Sequence, residues 1–188
     1  MKFTDGYWLT RKGMTPHFPA QVYEVDVEAE AMTIFAPTIK ILGRGDTLGP
    51  PALSIRFSTP MENVIRVQMV HHKGGLSQKP EFILNEIPHA RPVISNNEKC
   101  ATLTSGALSV SVHKGKTWLV EYKAGERVIT SSTWRGIGFV DTPEGRFIHE
   151  QLNIGVGECI YGMGERFSAL VKNGQEVDIW NEDGGTSS

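Results

Sequence analysis

The sequence predicts an all-β protein built as an antiparallel, two-layer β-sandwich. Six segments alternate apolar with mostly polar residues at a period of two, so that one face of each segment faces a core. Clusters of turn-forming residues separate them at the spacing of about 10 residues that is typical of strands joined by hairpins. No stretch has the amphipathic pattern of three helical turns. We therefore expect two packed sheets, with helix only as short turns.

The six predicted strands follow one another between residues 23 and 122. Their apolar positions are Tyr23/Val25/Val27, Met32/Ile34/Ala36, Leu53/Ile55/Phe57, Ile65/Val67/Met69, Leu108/Val110/Val112 and Trp118/Val120/Tyr122. Turn signals between and after them include Gly43-Arg-Gly-Asp46, Lys73-Gly-Gly75, Ser95-Asn-Asn97, His113-Lys-Gly115 and Lys123-Ala-Gly-Glu126. The alternation predicts a core made of Leu53, Ile55, Phe57, Val67, Leu108, Val110, Val112, Trp118 and Val120.

Size and charge limit the classes of partner. The chain has 188 residues, 39% of them apolar, which is enough to bury a core. Lys and Arg total 19 against 21 Asp and Glu, and no basic stripe is present, so nucleic acid is not an expected partner. The first residues carry a charge and a turn where a signal peptide needs an apolar stretch, and no run approaches the roughly 18 apolar residues of a membrane span. These features predict a cytoplasmic protein.

Domain organisation is predicted to be simple, because no repeat, linker or low-complexity tract is visible. We expect one β-sandwich domain over residues 1–170 and a polar tail over residues 171–188.

The glycine-rich stretch Gly162-Met-Gly-Glu-Arg-Phe167 invites a nucleotide-binding interpretation. A dinucleotide fingerprint also needs a third glycine, a following helix and a βαβ unit, and all three are absent from the pattern. The stretch is better interpreted as a tight turn in which Gly162 and Gly164 supply positive φ, with Glu165 and Arg166 in a local ion pair. No cofactor is expected.

Metal and thiol chemistry are not indicated. His71 and His72 are neighbours, and neighbours on a strand point to opposite faces, so they cannot chelate one ion from a regular strand. Cys100 and Cys159 lack a partner pattern, and we interpret both as small buried residues. No metal site is expected.

Four tryptophans raise the question of a sugar-stacking platform. Trp118 lies in an alternating strand and is interpreted as core. Trp134 and Trp180 are flanked by polar residues and glycine, which leaves them open as exposed rings. The acids near the carboxyl end lie in turn-rich segments, where solvated surface carboxylates are the ordinary case.

Two motifs carry a resemblance to a known family: Gly155-Val-Gly-Glu-Cys-Ile-Tyr-Gly-Met-Gly-Glu-Arg-Phe167 and Trp180-Asn-Glu-Asp-Gly-Gly-Thr186. With the opening Asp5-Gly-Tyr-Trp-Leu9, they resemble the N-terminal, galactose-mutarotase-like β-sandwich domain of glycoside hydrolase family 31, in its bacterial α-xylosidase branch. The resemblance implies two catalytic aspartates on a (β/α)₈ barrel that this sequence does not contain, so this chain alone is expected to be inactive.

The same resemblance implies a substrate loop that reaches over the barrel mouth. Asn181 and Asp183 match its Asn-x-Asp step, Thr186 follows closely, and Trp180 precedes it. These four residues are the expected contacts for an α-xyloside or α-glucoside oligosaccharide in the intact enzyme. No residue of this chain is expected to be catalytic.

Three functions stay open at this point. The chain is a truncated part of an α-xylosidase-like retaining glycosidase, a free-standing carbohydrate-binding module, or a purely structural domain that serves barrel packing or a homo-oligomer. The end of the sequence, two residues after the substrate-loop motif, favours the first. The sequence leaves open which α-glycoside the parent cleaves and its oligomeric state.

Overall fold

The computed structural model of the chain describes residues 3–6, 8–70, 91–164 and 167–179. Its strands are β1 (Thr4–Asp5), β2 (Leu9–Thr10), β3 (Thr15–His17), β4 (Glu24–Val27), β5 (Ala31–Pro37), β6 (Ala52–Ser58), β7 (Arg66–Val70), β8 (Val93–Asn96), β9 (Cys100–Ser105), β10 (Leu108–His113), β11 (Leu119–Ala124), β12 (Arg127–Thr133), β13 (Ile137–Thr142) and β14 (Gly145–Glu150). The helical content of these described residues is one 3₁₀ helix, Arg44–Thr47. Nothing helical in that part of the chain is long enough to cross a membrane.

The chain divides into two compact units, Met1–Asn153 and Ile154–Ser188. All fourteen strands of the described residues belong to the first unit. The described part of the second unit consists of turns and irregular backbone. The domain boundary predicted at residue 170 stays a prediction.

Every strand pair in the described sheets is antiparallel. The strand orders are β4-β5-β6-β7, β12-β11-β10-β9-β8, β14-β13-β3 and the small hairpin β1-β2. Most neighbours are consecutive in the chain, which is the hairpin connectivity that the closely spaced turn signals predicted. The all-β, antiparallel fold class is confirmed.

One apolar core joins the two larger sheets. In β5 and β6, Met32 lies opposite Phe57 and Ile34 opposite Ile55, and all four side chains are fully buried. In β9 and β10 the corresponding buried pairs are Leu103 with Val110 and Ala101 with Val112. Trp118, Val120, Ile137 and Phe139 complete the same cluster. Alternation along each strand directs these residues to one face, which is why the sheets pack there.

The six predicted strands are confirmed. Seven of the nine predicted core residues are buried, and the other two, Val67 and Leu108, are half-buried and line an open cleft of the first unit. The interpretation of Cys159 as buried was wrong, since it is exposed, and Cys100 is half-buried. The Gly43–Asp46 turn signal forms the 3₁₀ helix, whereas Lys73-Gly-Gly75 lies outside the described residues.

Several strands of the structure show no alternating pattern in the sequence, and each has a physical reason for lacking it. β1, β2 and β3 have only two or three residues each, too few to show a period. β13 begins with four consecutive buried residues, so it lacks the alternation of a half-exposed strand. Its second residue, Gly138, lies against β3, where a Cβ would be 2.3 Å from the backbone oxygen of His17.

Gly138→Ala should therefore destabilise the first unit. A methyl group there must displace the backbone of β3 and the Phe18 ring, which lies 2.9 Å from the Cβ position. We expect the free energy of unfolding, measured by urea denaturation of the 188-residue chain, to fall by about 1–3 kcal/mol. Gly115→Ala is the matched control, because a Cβ at Gly115 meets no atom within 4 Å; it should change stability by less than about 0.5 kcal/mol. Equal stabilities for the two variants would contradict the close approach of β3 to β13.

Candidate functional site

The residues expected to contact sugar lie outside the described residues. This holds for Trp180, Asn181, Asp183 and Thr186, and also for Glu165 and Arg166. The two adjacent histidines, at positions 71 and 72, lie outside them as well. The described residues include the segment that leads to the predicted substrate loop and a cleft in the first unit.

The segment leading to the loop is folded by side-chain to backbone hydrogen bonds. The Glu158 carboxylate accepts a hydrogen bond from the Gly155 amide at 2.6 Å. Asn173 joins two stretches of backbone, since its Oδ1 accepts from the Ile160 amide at 2.7 Å and its Nδ2 donates to the Glu158 oxygen at 2.9 Å. Polar side chains thus take the place of a sheet ladder in the second unit.

The glycine-rich stretch contains the positive φ angles that its sequence predicted. Gly162 has φ of 105° and Gly164 has φ of 82°. Met163 between them has φ of 69°, which is an uncommon conformation for a residue with a side chain. The predicted positive φ at Gly162 and Gly164 is confirmed.

Lys172 is the most buried charged residue among the described residues of this segment, with 8% of its surface exposed. Its ammonium donates to the Ser168 hydroxyl and to the Ala169 carbonyl oxygen, both at 2.7 Å. A buried cation is costly unless it is hydrogen-bonded, so these two bonds stabilise the turn that precedes Asn173.

The first unit contains an open cleft of about 470 Å³. Its lining is mostly apolar and comes from six strands and their flanking residues. The lining residues are Ile65, Val67, Met69, Leu108, Ser109, Tyr122, Ile129, Thr130, Ile137, Ile148, Glu150 and Leu152. We refer to it as the Glu150 cleft.

Glu150 is the acid of this cleft, at the end of β14. The apolar side chains around its carboxyl hinder hydration of the charged form, and this desolvation raises the pKa of Glu150 to about 7, even though the residue as a whole is exposed. The nearby Ser132 hydroxyl lowers that pKa by a smaller amount, without forming a well-aligned hydrogen bond. Burial, and then the charge of Glu150, also raises the pKa of the Tyr122 hydroxyl.

The cleft lacks the groups for glycoside hydrolysis. Retaining and inverting enzymes use two carboxyl groups on either side of the scissile bond, and in retaining enzymes these lie about 5 Å apart. Glu150 is the single carboxylic acid among the described residues that line the cleft. The described part of the chain also holds no group of three His, Cys, Asp or Glu residues arranged to bind a metal ion.

Comparison with known proteins assigns the family. Residues 54–188 match the model of the glycosyl hydrolase 31 N-terminal galactose mutarotase-like domain. The chain belongs to this family. The family predicted from the two glycine-rich motifs is therefore confirmed, and so is the sandwich fold that it implies.

Two curated relatives match the whole chain. It is 36% identical over 190 residues to the α-xylosidase XylQ of Lactiplantibacillus pentosus and 35% identical over 209 residues to an α-xylosidase of Emericella nidulans. The chain covers 25% and 27% of these proteins, so it spans about a quarter of the length of the curated relatives it matches.

A solved structure supports the fold independently. The uncharacterized protein lmo2446 of Listeria monocytogenes EGD-e superposes with a TM-score of 0.63 over 90% of this chain and 15% of its own. Its sequence identity is 17%, so this likeness concerns the fold alone.

The Glu150 cleft was missed in the sequence analysis. The signal available was the sequence Thr142-Pro-Glu-Gly145 between two β-rich segments, which predicts a hairpin and hence strand β14. That signal places Glu150 on a strand but gives no indication of the apolar residues around it, because Ile65 and Leu108 come from distant parts of the chain.

Replacing Glu150 should change how stability depends on pH. The folded pKa of about 7 lies above the ordinary value of 4.5, so the folded chain binds more protons between these values. The free energy of unfolding therefore falls as pH rises from about 4.5 to 7. Glu150→Gln removes this contribution, so its stability relative to the native chain should increase over that interval and level off above pH 7.

Urea unfolding at several pH values measures this difference. Glu144→Gln is the control, because it removes an exposed carboxylate from the turn that leads into β14 and makes the same change in net charge. If the two variants follow the same pH dependence, the Glu150 carboxyl is hydrated and the cleft does not bury it.

Proposed function

We propose that this chain is the non-catalytic N-terminal domain of an α-xylosidase-like retaining glycosidase. Its similarity along its whole length to a quarter of two α-xylosidases is the observation that carries the proposal. The single carboxyl of the Glu150 cleft agrees with a domain that does not itself cleave glycosides. The cytoplasmic location indicated by the sequence is part of this proposal.

Catalysis in such a parent enzyme belongs to residues beyond this chain. Two aspartates at the carboxyl ends of barrel strands act as nucleophile and as general acid and base, with retention of configuration. The N-terminal domain contributes binding and packing. Substrates of this parent are α-xyloside or α-glucoside oligosaccharides.

Asn181, Asp183 and Thr186, together with Trp180, form the proposed substrate contacts. An ionised carboxylate such as Asp183 accepts hydrogen bonds from two neighbouring sugar hydroxyls, and such charge-assisted bonds are the strong ones. The glycines that follow it, at positions 184 and 185, have no side chains to keep a saccharide away. Trp180 offers a flat ring on which a sugar ring stacks.

Packing against the catalytic barrel is supported by the apolar surface of the second unit. Large apolar side chains are exposed there, among them Val156, Tyr161, Phe167, Leu170 and Ile179. Phe167, with 90% of its surface exposed, is the last residue of the glycine-rich stretch. Large exposed apolar side chains are a feature of interfaces with another protein region, and we propose that the barrel of the same polypeptide covers these.

The isolated 188-residue chain should not hydrolyse p-nitrophenyl α-xyloside above the buffer rate, because it lacks the paired carboxyl groups of the proposed mechanism. The full-length parent enzyme should hydrolyse it. Turnover by the isolated chain that persists through repurification and is lost on replacing one of its own acids would contradict a non-catalytic domain.

Asp183→Ala in the full-length enzyme tests the substrate loop. We expect kcat/KM for an α-xyloside to fall. The corresponding loss of transition-state stabilisation should be about 1–3 kcal/mol, the size of a lost hydrogen bond to a charged group. The melting temperature should be nearly unchanged. Asp178→Ala is the control, since it removes an acid five residues earlier in the same segment. Equal activity of the two variants would make Asp183 an ordinary surface acid.

A further inference from the structure

Two exposed tryptophans lie together on the first unit, far from each other in sequence. Trp8, between β1 and β2, has 65% of its surface exposed, and Trp134, between β12 and β13, has 44% exposed. Their ring centroids are 6.3 Å apart and their planes are inclined by 39°. Burying aromatic surface is favourable, so two large rings left exposed side by side require an explanation.

Arg135 holds the two rings in place. Its guanidinium carbon lies 4.6 Å from the centroid of the Trp134 ring and 5.8 Å from that of Trp8, within the range of cation–π attraction. A third ring, that of Phe18, lies at 6.0 Å. The cation therefore links the N-terminal hairpin to the turn that precedes β13.

The backbone at Arg135 is in an unfavourable conformation that its surroundings maintain. Its φ is 67°, in the left-handed region that a residue with a side chain seldom adopts. The turn is closed by a hydrogen bond from the Gly136 amide to the Thr133 oxygen at 2.7 Å, and His149 Nε2 donates to the Arg135 oxygen at 3.0 Å. Strain that a structure maintains is often found at functional sites.

A small pocket of about 80 Å³ lies beside the same arginine. Its lining includes Arg135, aromatic residues and the polar residues Thr4, Thr10 and Gln151. Burial lowers the pKa of His149, which also lines this pocket, so that its ring is neutral at physiological pH. The pocket thus combines polar residues with the Arg135 cation, which itself contacts both indoles.

We propose that Trp8, Trp134 and the adjoining pocket form a carbohydrate-binding surface for a neutral oligosaccharide with two adjacent pyranose rings. Sugar rings have apolar C–H faces that pack on aromatic rings, and hydroxyl edges that require donors and acceptors; the indole pair and the pocket provide both. Arg135 is a positioning residue that fixes the angle between the indoles. The proposed surface consists of residues of the first unit, and its argument uses no residue of the proposed substrate loop, so neither proposal depends on the other.

Titration of the 188-residue chain with cellotetraose, followed by isothermal calorimetry and by tryptophan fluorescence, tests the proposal. Saturable binding is expected, and Trp8→Ala and Trp134→Ala should each weaken it about tenfold, the upper range for one aromatic contact. Tyr23→Ala is the matched control, because it removes an exposed aromatic ring just before β4 that is not part of the indole pair, and it should leave binding unchanged.

The Arg135→Gly variant distinguishes the proposed role of Arg135 in positioning the two indoles from a role in the stability of the fold. Glycine adopts positive φ without strain, so this variant should melt at the same or a higher temperature. It should nevertheless bind cellotetraose more weakly, because the indoles lose the cation between them. If Arg135→Gly binds cellotetraose as tightly as the native chain, Arg135 does not contribute to the proposed surface.

Three results would overturn the proposal. The first is the absence of saturable binding by the native chain. The second is binding that persists in both tryptophan variants but is lost in Asp183→Ala, which would assign the sugar to the substrate loop. The third is a change in oligomeric state, by sedimentation, in Trp8→Ala or Trp134→Ala, which would make the surface a contact between protein copies.

Discussion

The structure of the first unit depends on the burial of one face of each of its two larger sheets. Met32 and Ile34 lie opposite Phe57 and Ile55 in one sheet, and Leu103 lies opposite Val110 in the other. All of them are fully buried. Because side chains alternate along a strand, a shift of one residue in either pairing would expose this whole set to water. Hydrophobic burial thus fixes the strand register, and the register determines which side chains remain on the surface.

The two sheets do not cover each other completely, and the Glu150 cleft is the consequence. Val67 and Leu108 follow the alternation as well as the core residues do, yet they lie where β7 and the start of β10 face open space. The carboxyl at the end of β14 lies against the same apolar surface, which raises its pKa. Incomplete packing of the sheets therefore produces the cleft and also raises the pKa of Glu150, so both features have one physical cause.

The second unit is stabilised differently. Its described residues contain no strand, and Asn173, Glu158 and Lys172 hold the backbone through side-chain hydrogen bonds. Its large apolar residues are mostly on the outside, Phe167 and Leu170 among them. A segment whose polar groups are satisfied internally while its apolar groups face outward is suited to packing against a further part of a protein. This agrees with a chain that covers a quarter of its α-xylosidase relatives.

The sequence by itself determined the fold class, six strands, most of the core and the family. These follow from local information: a period of two, turn residues, and two glycine-rich motifs whose residues are close together in the chain. It also predicted positive φ at Gly162 and Gly164, because glycine is the residue that tolerates it. Only the tertiary structure decided that Val67 and Leu108 border a cleft, that Glu150 lies among apolar side chains, and that Trp8 and Trp134 flank Arg135. Each of these joins residues from distant strands, and their proximity arises from how the sheets pack, which no local pattern encodes.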